Sequence, residues 1–212
     1  MTAFAFKYGL EKDIYQEILA WSEHTLQKPN PYFNNLPACP YAKKAWAEGR
    51  VAVLFKSEDS FQTVYSTVSQ FDDAFDLVIV VDLAYKKDPE AFHQYLEQMN
   101  EVISRGIFID RDVWLMGFHP HDDENDYLDE ATFEQLVSDE YAMIFIQRLS
   151  KVYKASQQLK ALGYYEEYAK DYDVETIFAQ RETLYRRLID GDETQKEDAW
   201  RTNEKDARRR HG

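Results

Sequence analysis

Few residues in this chain are suited to chemistry. Cys39 is its sole cysteine, in Ala38-Cys39-Pro40-Tyr41-Ala42-Lys43, and His119 and His121 form its one closely spaced histidine pair, in Phe118-His119-Pro120-His121-Asp122. A thiol at the start of a helix feels the positive end of the macrodipole, which favours thiolate and hence nucleophilic attack or metal ligation. The competing reading of Cys39 is a small buried hydrophobe. Two histidines two apart in extended backbone present their imidazoles on one side, as ligands of a single metal must. On that pattern His119, His121 and Asp122 are candidate ligands of a transition metal ion, with Asp82, Asp123, Glu124 and Cys39 able to complete the set. A structural or solvent-facing histidine pair is the alternative. The candidate catalytic residues are Cys39 as thiolate nucleophile, His119 as base, and Asp82 as orienting group or proton partner. Lys43 and Lys44 either support a thiolate or sit solvated on the helix surface, and His24 and His93 read as surface positions.

The elements that must position these residues alternate in type. Ile14, Ile18 and Trp21 recur at helical spacing within residues 11–27. Lys28 to Ala38 holds three prolines and three asparagines and reads as a loop. Pro40 suits the first turn of a short helix to Glu48, ended by Gly49. Val51 to Phe55 reads as a buried strand, followed by a helix capped by Ser57 with Phe61, Val64, Tyr65, Val68 and Phe71 on one face. Leu77 to Val81 is the strongest strand, and Asp88-Pro89 opens a helix carrying Phe92, Tyr95, Leu96, Met99, Val102 and Ile103 on a stripe. Val113 to Phe118 and Tyr141 to Gln147 read as further strands, and helices follow through Leu149 to Leu162 and Val174 to Leu188. Strands separated by helical crossovers imply an α/β fold with a small, mostly parallel sheet of three to four strands. Its core is βαβαβ, in an order that also fits a thioredoxin-like layout, covered by helices and flanked by N- and C-terminal ones. In such a sheet Asp82 and His119 both end strands at the carboxyl edge, where ligands bind. A ten-residue helix packed antiparallel on the first strand is about 15 Å long, which brings Cys39 to the same level.

The chain has 212 residues, 44% of them apolar, enough for one full core. One domain over 1–190 with a charged, flexible tail over 191–212 is expected. The formal charge of −14 argues against nucleic acid as a partner, because phosphate binding relies on lysine and arginine. No apolar run approaches the roughly 20 residues that span a bilayer, and no leader pattern opens the chain, so a cytoplasmic protein with no membrane partner is expected. Asp122 to Glu140 carries nine acids and no lysine or arginine. An EF-hand loop starting at Asp122 fails, because Tyr127 stands where glycine belongs and Phe133 where the bidentate glutamate belongs. A solvated acidic loop is the better account.

Cys39-Pro40-Tyr41-Ala42-Lys43 and Phe118-His119-Pro120 resemble the Cys-Pro-Phe-Ala-Lys and Phe-His-Pro elements of a family of uncharacterised bacterial proteins, a domain of unknown function. The resemblance covers roughly residues 38–150. Where that family carries an Asn-Arg and Tyr-Pro stretch, this chain has Asp139-Glu140-Tyr141-Ala142-Met143. The resemblance implies no activity, but it implies that Cys39 and His119 are paired features. Two functions are therefore expected as alternatives. One is a small enzyme acting on a small-molecule substrate through a thiol- or metal-dependent Cys/His site. The other is a non-catalytic acidic protein that docks to a basic partner.

Overall fold

The computed structural model describes residues 9–58, 60–84, 88–105, 111–122 and 141–190; most of the acidic segment, 123–140, and the charged tail, 191–212, lie outside the described residues. Gly9–Trp21 forms α1, which runs into a π-helical turn over Ser22–Leu26. The proline-rich loop folds as a two-residue hairpin, β1 (Pro29–Asn30) against β2 (Leu36–Pro37). Next come α2 (Ala42–Ala47), β3 (Val51–Lys56), α3 (Gln62–Gln70), β4 (Leu77–Asp82) and α4 (Pro89–Arg105). After these lie β5 (Trp114–Phe118), β6 (Ala142–Gln147), α5 (Leu149–Ala161) and α6 over 174–190. No helix among the described residues is long and apolar enough to cross a membrane.

The main sheet has the order β3-β4-β6-β5. Among the described residues only β3 and β4 form a parallel pair; β6 runs antiparallel to both β4 and β5. The expected mostly parallel βαβαβ sheet is thus corrected to a mixed one. Hydrophobic patterning selects strands but not their direction, so β6 could enter between β4 and β5. Even so, β3, β4 and β5 all point the same way, and their carboxyl ends share one edge.

Residue alternation gives the sheet two apolar faces. Ala52, Val78, Val80, Leu115, Ala142 and Ile144 meet α3 and α4 through Val64, Val68, Phe92, Leu96, Met99 and Ile103. On the other face Val51, Val53, Ile79, Val81 and Met143 meet Ile14, Ile18 and Trp21 of α1. A fully buried aliphatic or aromatic side chain of this kind contributes about 1.5–3 kcal/mol. Trp114 packs with Leu149 of α5 and Leu184 of α6.

Local chemistry sets the element ends. Asp88 Oδ1 accepts from the Ala91 amide and Pro89 occupies the first turn, as Asp-Pro predicts. Gly49, with φ +67°, lets the Arg50 amide donate back to Ala45 O, which turns α2 into β3. Ser57 does not cap α3: that helix starts at Gln62 after Phe61 with no side-chain cap. Two further devices shape the β5 edge. Asn100 of α4 lies buried with its Nδ2 donating to Leu115 O (2.9 Å) and its Oδ1 accepting from Leu115 N (2.8 Å), so one amide side chain stands in for a missing strand neighbour. Gly117 allows α4 to lie close on β5, since a methyl there would overlap Leu96 Cδ1 and Phe92 Cε1.

Candidate functional site

Three strand ends deliver polar residues to the carboxyl edge. Lys56 ends β3, Asp82 ends β4 opposite it, and His119 follows β5. With β6 intervening, β4 and β5 are separated by two strand spacings, about 10 Å. The alternation that puts Val78, Val80 and Leu115 under α3 and α4 puts Asp82 and His119 on that same face. Lys56 Nζ donates to both Asp82 oxygens, at 3.0 and 2.9 Å, and Asp82 Oδ1 also accepts from the Ala84 amide. Each side chain of the pair is only 3% exposed. Asp82 is therefore committed to Lys56, a partner that reads in the sequence as an ordinary solvated strand end. On the opposite face of the sheet Tyr141, also buried, donates its hydroxyl to Glu17 Oε2 at 3.5 Å. Burial, reinforced by the Glu17 charge, pushes that hydroxyl well above its ordinary value and keeps it protonated.

Beyond β5 the chain turns. The Asp122 amide donates to His119 O (3.1 Å), the His119 amide donates to Asp122 Oδ2 (3.1 Å), and the His121 amide donates to His119 Nδ1 (3.2 Å). The His119 ring is buried 5.7 Å from the Phe92 ring of α4. One helical step along α4, His93 Nε2 meets both Asp122 oxygens, at 3.0 and 2.9 Å. Here the histidine is half exposed and the carboxylate nearly buried. This pair forms part of the wall of a depression of about 360 Å³, lined also by Asp88, Glu90, His121 and Tyr172.

These bonds take up part of the donor set expected to hold a metal ion at His119, His121 and Asp122. Pro120 sits in a turn rather than an extended strand, and the two histidine rings stand 5.5 Å apart between centroids. His119 Nδ1 already accepts the His121 amide, and Asp122 is taken by His93. Among the described residues no group of three or more His, Cys, Asp or Glu side chains is placed to hold a metal ion.

No protein-family model, curated protein or solved structure matches the chain. The assignment therefore rests on geometry alone.

Cys39 is not among the residues that line this depression. It precedes α2 by three positions rather than one, and α2 has six residues, about 9 Å, so it does not reach as far as a ten-residue helix would. Its amide donates to Leu26 O, and its thiol lies against the Tyr41 and Ala42 amides. Burial, the largest cause, pushes the thiol above its ordinary value against those two donors, so desolvation works against the thiolate that a helix start favours. Its surroundings are aromatic: the adjacent Ala38 carbonyl accepts the Tyr164 hydroxyl, and Tyr164 stacks on Phe33 at 4.8 Å.

Sequence reasoning missed Lys56 and His93. A signal for Lys56 exists, since Val-Ala-Val-Leu-Phe-Lys and Leu-Val-Ile-Val-Val-Asp are apolar runs closed by opposite charges. His93 had a weaker signal: it lies in the first turns of a helix that starts from the carboxyl end of β4.

Proposed function

We propose that the chain is a small enzyme whose chemistry takes place in the carboxyl-edge depression, with His93 as the acid–base group and Asp122 as its orienting carboxylate. The observation that carries this reading is the His93 Nε2 contact to both Asp122 oxygens at the depression wall, with Asp122 itself held by the His119 amide. A carboxylate on one ring nitrogen fixes the tautomer and stabilises the imidazolium that forms when the other nitrogen takes a proton. His119 is then a buried brace for the turn that carries Asp122. The volume matches that of small-ligand pockets, about 300–1,000 Å³, and the lining calls for a small polar substrate. Cys39 and Asp82 take no part in proton transfer on this reading.

The test is a panel of chromogenic esters, amides, phosphoesters and glycosides, assayed with the full chain and with His93→Gln and Cys39→Ser. Positioned proton transfer contributes about 10²–10⁴-fold, so His93→Gln should lose at least about a hundredfold while Cys39→Ser keeps wild-type rates. Full activity in His93→Gln refutes the assignment. A second reading is favoured by the charge of −14: a non-catalytic protein that docks to a basic partner. Association that weakens steeply with salt and is unchanged by His93→Gln would select it.

A further inference from the structure

Among the described residues, Arg50, Arg148, Arg186 and Arg187 each hold a carboxylate within 3.0 Å. Arg181 of α6 does not. Its guanidinium faces the Tyr165 hydroxyl, touches the Met116 sulfur at 3.9 Å, and lies over Trp114 with its central carbon 5.3 Å from the ring centre. Burial holds the Tyr165 hydroxyl above its ordinary value against the pull of Arg181, so this partner is a neutral phenol and cancels no charge. Two buried donors are left over in the same stacked pair: Arg181 Nε–H and Trp114 Nε1–H have no acceptor, and Trp114 is only 5% exposed.

A partly buried cation without a counter-charge is costly, and so is each buried N–H without an acceptor. One oxyanion supplies both the charge and the lone pairs that are missing, and the planar guanidinium fork suits it. Access is short: Met116, whose sulfur touches the guanidinium, is 37% exposed and is a flexible thioether able to move aside. We propose that Arg181, Trp114 and Tyr165 form a binding site for a small oxyanion, a carboxylate or a phosphate, seated against the guanidinium beside the indole N–H. The site uses none of the residues that line the carboxyl-edge depression.

The test is NMR of the full chain, following the Trp114 indole N–H resonance, assigned with Trp114→Phe. Sodium phosphate and sodium acetate are titrated in separate arms at constant ionic strength, with sodium chloride as control. The expected result is a saturable downfield shift with at least one of the two anions, the tighter one naming the ligand as phosphate or carboxylate. That shift should vanish in Arg181→Gln and occur with affinity weakened about tenfold in Arg181→Lys, which keeps the charge but loses the fork. If Arg181→Gln does not fold, Arg181→Lys decides. No shift with either anion, the same shift with chloride, or wild-type affinity in the folded variants overturns the proposal.

Discussion

Changing Asp82 to asparagine tests the carboxyl edge most directly. The substitution keeps shape and removes only the charge that faces Lys56 Nζ at 2.9–3.0 Å. With both side chains 3% exposed, water cannot replace the lost partner. Breaking a buried pair by removing one member costs about 3–5 kcal/mol, whereas replacing both members with apolar groups of similar size is about neutral or stabilising. Against a total stability of roughly 5–15 kcal/mol this is a large fraction. Equilibrium urea unfolding of wild type, Asp82→Asn, Lys56→Met and the Lys56→Met/Asp82→Leu double variant closes a thermodynamic cycle. Each single variant should be severely destabilised and the double variant should recover most of the loss. A loss below about 1 kcal/mol in Asp82→Asn, or a double variant as unstable as the singles, would mean the pair is solvated.

Two more outcomes follow from other polar contacts. Asn100→Leu strips both bonds from the outward amide and carbonyl of Leu115; at about 1–3 kcal/mol per orphaned buried group it should lower the urea midpoint markedly and, by opening the β5 edge, make light scattering rise with protein concentration. An unchanged midpoint would show those groups solvated. Asp76 accepts from Arg50 Nε (2.7 Å), Arg50 Nη2 (2.9 Å) and Lys151 Nζ (2.6 Å), and the Arg50 bonds above all hold its carboxyl far below the ordinary 3.8. A depressed carboxyl contributes stability that is complete above its ordinary value and is lost as the pH falls below it. Asp76→Asn should therefore be less stable than wild type near neutrality and converge with it on acidification below 3.8 in a pH series of urea melts; a gap that widens there contradicts the ion pairs.

Strands β3 and β4 and helix α4 were legible because their signals are local: unbroken β-branched runs, an Asp-Pro start and a helical stripe. The placement of Asp82 and His119 at one edge was legible for the same reason, since strand ends and parity need no knowledge of neighbours. What failed depended on long-range choices. Nothing in Ala-Met-Ile-Phe-Ile-Gln says that it runs antiparallel between two other strands. The burial that pushes the Cys39 thiol up depends on residues far along the chain, such as Tyr164, whose hydroxyl bonds the adjacent Ala38 carbonyl. His93 looks like a surface histidine and is one by exposure; its meaning comes from Asp122, which reaches it through the turn at Pro120, and nothing local in the sequence pairs the two.

The absent side chain at Gly117 ties the fit of the core to the chemistry at the edge. Phe92 and Leu96 rest where a Cβ would be, and His93 rides on the same helical turn as Phe92. A larger residue at 117 must push those two side-chain ends aside, and where they cannot turn away the helix lifts with them. His93 Nε2 sits about 3 Å from Asp122, and a hydrogen bond is gone by about 3.6 Å, so a rise of roughly half an ångström uncouples the two. The hydrogen atom at position 117 thus acts as a spacer gauge: it sets the height of α4 above the sheet and, through that height, whether the imidazole and its carboxylate meet at all.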